Sequence, residues 1–138
     1  MEHLSGASDS QRRANLAKIL IVDDEPHLRL LYETELRRAG FDTMTASNAA
    51  QGLEFVDTMH PDLVILDIRM AGMDGIEALQ RILERNNSIP VVLNTAFSSY
   101  RDNYLTWAAD AYVTKSSDVT ELLNTVKNIL EERLASSS

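Results

Sequence analysis

The stretch ILIVDDE, residues 19–25, decides how the chain folds. Ile19, Leu20, Ile21 and Val22 form a continuous apolar run of strand length, and Asp23, Asp24 and Glu25 follow without a break. A strand apolar on both faces needs helices on both sides, which is the environment of a parallel sheet. The pattern recurs: Leu63–Leu66 is a second such run and ends on Asp67, while Val91, Val92 and Leu93 form a third, followed by Asn94, Thr95 and Ala96. Phe41–Ala46 and Ala109–Thr114 mix polar with apolar residues and suit the two edges of the sheet.

Helical signals fill the intervals. Pro26 fits a first helical position; Leu28, Leu31, Tyr32, Leu36 and Ala39 follow at three- and four-residue spacing, and Gly40 fits just past the helix end. Asn48 with Gln51 is a capping-box pattern opening a helix that carries Leu53 and Val56. Ile76, Leu79 and Leu83 mark a third helix, and residues 98–107 a weaker, polar fourth. Asp118 with Glu121 is another capping box, opening a last helix whose apolar face is Val119, Leu122, Leu123, Val126, Ile129 and Leu130. Five strand–helix units in series imply a doubly wound parallel α/β sheet with right-handed crossovers.

The chain has 138 residues, enough for one domain with a true core. The domain is expected over residues 18–134, between a polar tail (1–17) and a short closing tail (135–138). The absence of cysteine excludes disulfides, thiolate metal sites and cysteine nucleophiles and fits a reducing compartment. A net charge of −8 disfavours nonspecific binding to DNA or anionic lipid. No apolar run is long enough to span a bilayer, and the N-terminus lacks the apolar centre of a signal peptide.

Sites in open parallel sheets form beyond the carboxyl ends of the strands. There the sequence places Asp23, Asp24 and Glu25, then Asp67, then Asn94 and Thr95, and after the last strand Lys115. Clustered carboxylates resist ionising beside one another, and a bound divalent cation relieves that repulsion. Oxygen ligands without cysteine or paired histidine favour Mg²⁺ over zinc. An aspartate beside such an ion can attack phosphorus to give an acyl phosphate. A threonine hydroxyl that contacts the phosphoryl group does so in one state only, which is the requirement for a switch.

These residues resemble the receiver domains of two-component response regulators. The likeness rests on ILIVDDE, LVILDIRMAGMDG (residues 63–75), VVLNTA (91–96) and AYVTK (111–115), in order and at the expected intervals. The resemblance implies a flavodoxin-like (βα)5 fold with strand order 2-1-3-4-5. It implies Asp67 as phosphoacceptor, Asp24 as a direct Mg²⁺ ligand, Asp23 as a ligand acting mainly through water, and the Arg69 backbone carbonyl as a further ligand. Lys115 would contact the phosphoryl group, Thr95 would be the switch hydroxyl, and Tyr112 the aromatic that changes rotamer with it. The phosphate would come from a histidine kinase or a phosphotransfer protein. The chemistry would be confined to the chain's own phosphorylation and dephosphorylation, so it is not expected to be an enzyme. Output would pass to a downstream protein target through the segments near 99–107, 111–114 and 119–130. Direct nucleic-acid and membrane contacts are not expected. The expected state is a cytoplasmic monomer or a phosphorylation-dependent homodimer, with no separate output module.

Two departures from the family pattern stand out. Ser116 follows Lys115 where proline is common, and Ala71 replaces a proline in the loop after the third strand. Phe97, two residues beyond Thr95, is expected to border the path of hydrolytic water and slow the loss of phosphate. Other features read as structure: Asp74-Gly75 as helix-start punctuation, the three histidines as incidental, Met70 and Met73 as packing, and Trp107 as core or a partner contact. A binding-only pseudo-receiver draws support from Ser116 and Ala71, against five intact site residues. A small Mg²⁺-dependent phosphatase would carry a DxDxT-type first strand end, which VDDEP is not. A nucleotide-binding module would need a glycine-rich first loop, and this loop is acidic.

Overall fold

The computed structural model describes residues 17–96, 108–115 and 118–137. Its elements are β1 (Lys18–Val22), α1 (Pro26–Arg38), β2 (Asp42–Ala46), α2 (Ala49–Met59), β3 (Leu63–Leu66), α3 (Gly75–Arg85), β4 (Val91–Thr95), β5 (Ala111–Thr114) and α4 (Thr120–Ser137). The strands form one parallel sheet in the order β2-β1-β3-β4-β5, the order the resemblance implied. The described residues hold four helices; the helix expected over 98–107, with Phe97 and Trp107, lies outside them.

Strand alternation splits the apolar residues into two layers. Ile19, Ile21, Leu63, Ile65 and Val92 face one side, packed with Tyr32 and Leu36 of α1 and Leu122, Val126 and Leu130 of α4. Leu20, Val22, Val64, Leu66, Val91 and Leu93 face the other, packed with Leu53 and Val56 of α2 and Leu79 and Ile82 of α3. Burying one such side chain is worth about 1.5–3 kcal/mol. The three central strands are therefore the rigid part of the molecule, and whatever follows their carboxyl ends is held in place.

The element ends obey local chemistry. Pro26 opens α1, and Gly40 closes it at φ 102°. The Phe41 N–H donates to the Leu36 carbonyl at 3.1 Å and the Gly40 N–H to the Arg37 carbonyl at 3.0 Å, a Schellman closure sealed by buried Phe41 and Leu36. The Asn48 side chain accepts from the Gln51 N–H at 2.8 Å, while the Gln51 side chain accepts from the Ser47 N–H at 2.9 Å. Asp118 differs from expectation. Its carboxylate accepts from the backbone and hydroxyl of Thr120, at 2.9 and 2.6 Å, so α4 begins there and Glu121 lies in its first turn.

Two further features lie at the ends of the described chain. Ala17, assigned to the tail, is buried, and its carbonyl accepts from the Asp42 N–H at 3.0 Å. Helix α4 continues to Ser137, because no proline or glycine follows Leu134 to stop it. A third difference bears on the site. β4 includes Asn94 and Thr95, which pair in register with Val113 and Thr114 and are buried.

Gly40→Ala forces a Cβ into a left-handed backbone at a cost of about 1–2 kcal/mol. Urea unfolding is expected to show a lower midpoint with an unchanged slope; an unchanged midpoint would mean that the turn tolerates the side chain.

Candidate functional site

β1 and β3 are neighbours, and Val22 pairs with Leu66. The next residue of each strand, Asp23 and Asp67, therefore emerges side by side on the face covered by α1 and α4. Both are buried, at 2% and 5% exposure, whereas Asp24 is exposed. One carboxylate oxygen from each of Asp23, Asp24 and Asp67 lies within 4.8 Å of the other two, a grouping able to hold a metal ion.

Lys115 reaches the pair from the end of β5. Its Nζ lies 2.8 Å from Asp23 Oδ2 and 3.1 Å from Asp67 Oδ2, with the lysine side chain 11% exposed. Asp23 is held further by the Glu25 N–H, which donates to its Oδ1 at 2.9 Å. Arg29 Nη1 donates to the Asp23 carbonyl at 2.7 Å and ties α1 to the strand end. The Ala71 N–H, in the loop after β3, approaches Asp24 Oδ2 at 3.4 Å.

These contacts set the protonation balance. Burial pushes the Asp67 carboxyl above its ordinary pKa; the Lys115 ammonium pulls it back and the Asp23 charge adds to the rise. Burial also works against the Lys115 ammonium, but its hydrogen bond to Asp23 and the charges of Asp67 and Asp23 outweigh that and hold its pKa above the usual lysine value. One buried ammonium is shared between two carboxylates. It stays charged, and Asp67 remains under-compensated.

Thr95 is fully buried at the end of β4, and its carbonyl accepts from the Lys115 N–H at 2.7 Å. Tyr112 pairs with Leu93 and packs, half-buried, with the layer under α2 and α3. In-register parallel neighbours share a face, so Thr95 and Tyr112 lie on the same side of the sheet. Arg69 is exposed in the loop two residues past Asp67. Asp23, Asp24, Asp67 and Lys115 thus meet at one point, Thr95 is joined to it through the backbone, and Tyr112 sits one step further out. The Lys115–Ser116 bond lies outside the described residues.

Asp74 and Gly75 were expected only to punctuate. Asp74 does cap α3, accepting from the Glu77 N–H at 2.9 Å. Gly75 does more: its N–H donates to the Ile68 carbonyl at 2.7 Å, and a Cβ there would stand 2.1 Å from the Asp67 carbonyl oxygen. The backbone of α3 presses directly on the residue carrying the buried carboxylate, and only glycine permits it. The Asp-Gly pair marked the turn, but nothing in it signalled that approach.

Comparison with known proteins agrees with this geometry. Residues 19–127 match the response regulator receiver domain family. Sporulation initiation phosphotransferase F of Bacillus subtilis is 36% identical over 115 residues, covering 82% of this chain and 93% of that protein. The regulatory protein AtoC of Escherichia coli is 38% identical over 116 residues, 83% of this chain but only 25% of AtoC, so the chain spans a fraction of some relatives it matches. The response regulator protein TrrA of Thermotoga maritima, in complex with Mg²⁺-BeF, superimposes with a TM-score of 0.81 at 40% identity over 83% of this chain and 99% of that one. A structure of histidine kinase ThkA with TrrA contains a chain that matches with a TM-score of 0.79 at 41% identity, over the same shares. The chain belongs to the receiver domain family of response regulators and is a module of two-component signalling.

The raised pKa of Asp67 has a signed consequence in chelator. Below the ordinary carboxylate range, about pH 4, the group is neutral in folded and unfolded chains alike. As pH rises through its folded value the buried carboxyl must ionise, and its contribution to stability is lost. Asp67→Asn is expected to exceed wild type in urea midpoint by more at pH 7 than at pH 4; an equal gain at both values contradicts the balance described.

Proposed function

We propose that Asp67 accepts a phosphoryl group from a histidine kinase or a phosphotransfer protein, in a site completed by Mg²⁺. The observation that carries this reading is the convergence of three carboxylates and one ammonium on a single point, with Asp67 the buried, under-compensated member. Three carboxylate oxygens within 4.8 Å of one another, with no nitrogen or sulfur donor among them, form a donor set that suits a hard divalent ion. Asp23, Asp24, Asp67 and the Arg69 carbonyl are the proposed ligands. Bound there, the ion would neutralise charge on the transferring phosphoryl oxygens.

The chain's own residues would do the rest. An Asp67 carboxylate oxygen attacks phosphorus in line with the donor's leaving atom, forming the acyl phosphate as the donor bond breaks. Lys115, already at 3.1 Å from Asp67, supplies a fixed positive charge to the new phosphoryl oxygens. Thr95 donates its hydroxyl to one of those oxygens and draws the end of β4 toward Asp67. Tyr112, on the same face, follows into the space so altered. Because the contact with Thr95 exists in only one state, phosphorylation biases a two-state equilibrium. The output surface would comprise β5, the exposed side of α4 and the segment near 99–107, and would bind a downstream protein. The match to TrrA in its kinase complex supports the kinase as donor. The reaction modifies the chain itself, and a cytoplasmic monomer or phosphorylation-dependent homodimer suffices for it. No helix among the described residues is long and apolar enough to cross a membrane.

Incubation with acetyl phosphate and Mg²⁺, followed by intact-mass measurement, is expected to add one phosphoryl group to wild type. Asp67→Asn and the chelated protein should gain none. Equal gain in Asp67→Asn would move the acceptor elsewhere. No gain in wild type, with a known receiver phosphorylated in parallel, would reject the reading.

A further inference from the structure

Arg29 stands in the first turn of α1, half-buried, and its side chain reaches back to the end of β1. Its Nη1 donates to the Asp23 carbonyl oxygen at 2.7 Å, a short, charge-assisted hydrogen bond. That bond completes the set on Asp23. The Asp23 N–H donates to the Ala46 carbonyl at 3.1 Å, Oδ1 accepts from the Glu25 N–H at 2.9 Å, and Oδ2 lies 2.8 Å from Lys115 Nζ. Every polar atom of Asp23 is engaged, and Arg29 is the partner that comes from a helix side chain.

Asp24 is held differently. Its carboxylate is exposed, and the Ala71 N–H approaches it at 3.4 Å, longer than a strong hydrogen bond. Where that carboxylate can point is therefore set mainly by the backbone that carries it. The peptide between Asp23 and Asp24 is planar. Fixing the Asp23 carbonyl oxygen fixes that plane, and with it the nitrogen and Cα of Asp24. Arg29 thus acts on the exposed member of the carboxylate grouping through its buried neighbour.

The charge of Arg29 works in the other direction. A guanidinium bonded to Asp23 repels any cation that enters the grouping, so by Coulomb's law alone its removal would strengthen metal binding. Orientation of Asp24 and repulsion of the ion have opposite signs, which makes them separable by experiment.

We propose that Arg29 is a positioning residue of the metal site: through the Asp23 carbonyl it fixes the peptide that presents Asp24, and its loss weakens Mg²⁺ binding even though a positive charge is removed. It touches neither metal nor phosphorus. This inference rests on the Mg²⁺ site proposed above.

The test is a Mg²⁺ titration at constant ionic strength, followed by the backbone amide signals of the whole chain, on wild type, Arg29→Met and Arg29→Lys. Melting temperatures in chelator establish that each is folded; if Arg29→Met is not, Arg29→Gln takes its place. Arg29→Met keeps a long aliphatic stem and loses donor and charge. It should bind Mg²⁺ about fivefold more weakly, the scale of one modest hydrogen bond. In chelator, its amide shifts should change chiefly at residues 23–25. Arg29→Lys keeps one donor, which is all a carbonyl needs, and should recover at least half of the lost affinity on a logarithmic scale. Unchanged or tighter binding in Arg29→Met overturns this inference and leaves the metal site standing. So do shift changes spread through the core, which mark a general loss of packing, or an Arg29→Lys no better than Arg29→Met. A wild type whose signals do not respond to Mg²⁺ overturns the metal site and this inference together.

Discussion

One buried ammonium lies between two buried carboxylates, and much of the architecture exists to permit this. Asp23 and Asp67 are forced together because β1 and β3 are parallel neighbours in register, each with an acid directly after its apolar run. Two adjacent carboxylates at so little exposure would resist ionising together. Lys115 offsets the repulsion, with contacts of 2.8 and 3.1 Å, and it arrives from the strand at the far edge of the sheet. The order β2-β1-β3-β4-β5 is what puts it within reach.

The compensation is deliberately incomplete in physical terms. Among the described residues the Lys115 ammonium contacts two of the three grouped carboxylates, and burial still holds the Asp67 carboxyl above its ordinary pKa. A divalent ion would relieve the repulsion among those carboxylates. The loop acids and the lysine would achieve little on a soft scaffold. The double layer of apolar side chains holds the three central strands still, and the Gly75 approach pins the backbone of Asp67 from behind.

The same rigidity explains how a local event could spread. Thr95 and Lys115 are joined through the backbone, Thr95 and Tyr112 share a face, and Asn94 lies on the other, in register with Val113. A displacement at the end of β4 would therefore reach both layers of the core.

Much of this was legible in the residues themselves. Continuous apolar runs marked β1, β3 and β4 as doubly covered, mixed runs marked β2 and β5 as edges, and Pro26, Gly40 and Asn48 marked helix ends, because strand burial and helix capping are local chemistry. The acids at the strand ends were visible for the same reason. What the sequence could not supply was distance. That Lys115 pairs with Asp23 as well as Asp67, and that α3 touches the Asp67 backbone at Gly75, are contacts between residues 8 to 92 positions apart. Such contacts follow from how helices settle on a twisted sheet, which depends on the whole core at once. Local sequence determined which groups stand at the rim; only tertiary packing decided which of them meet, and at what protonation.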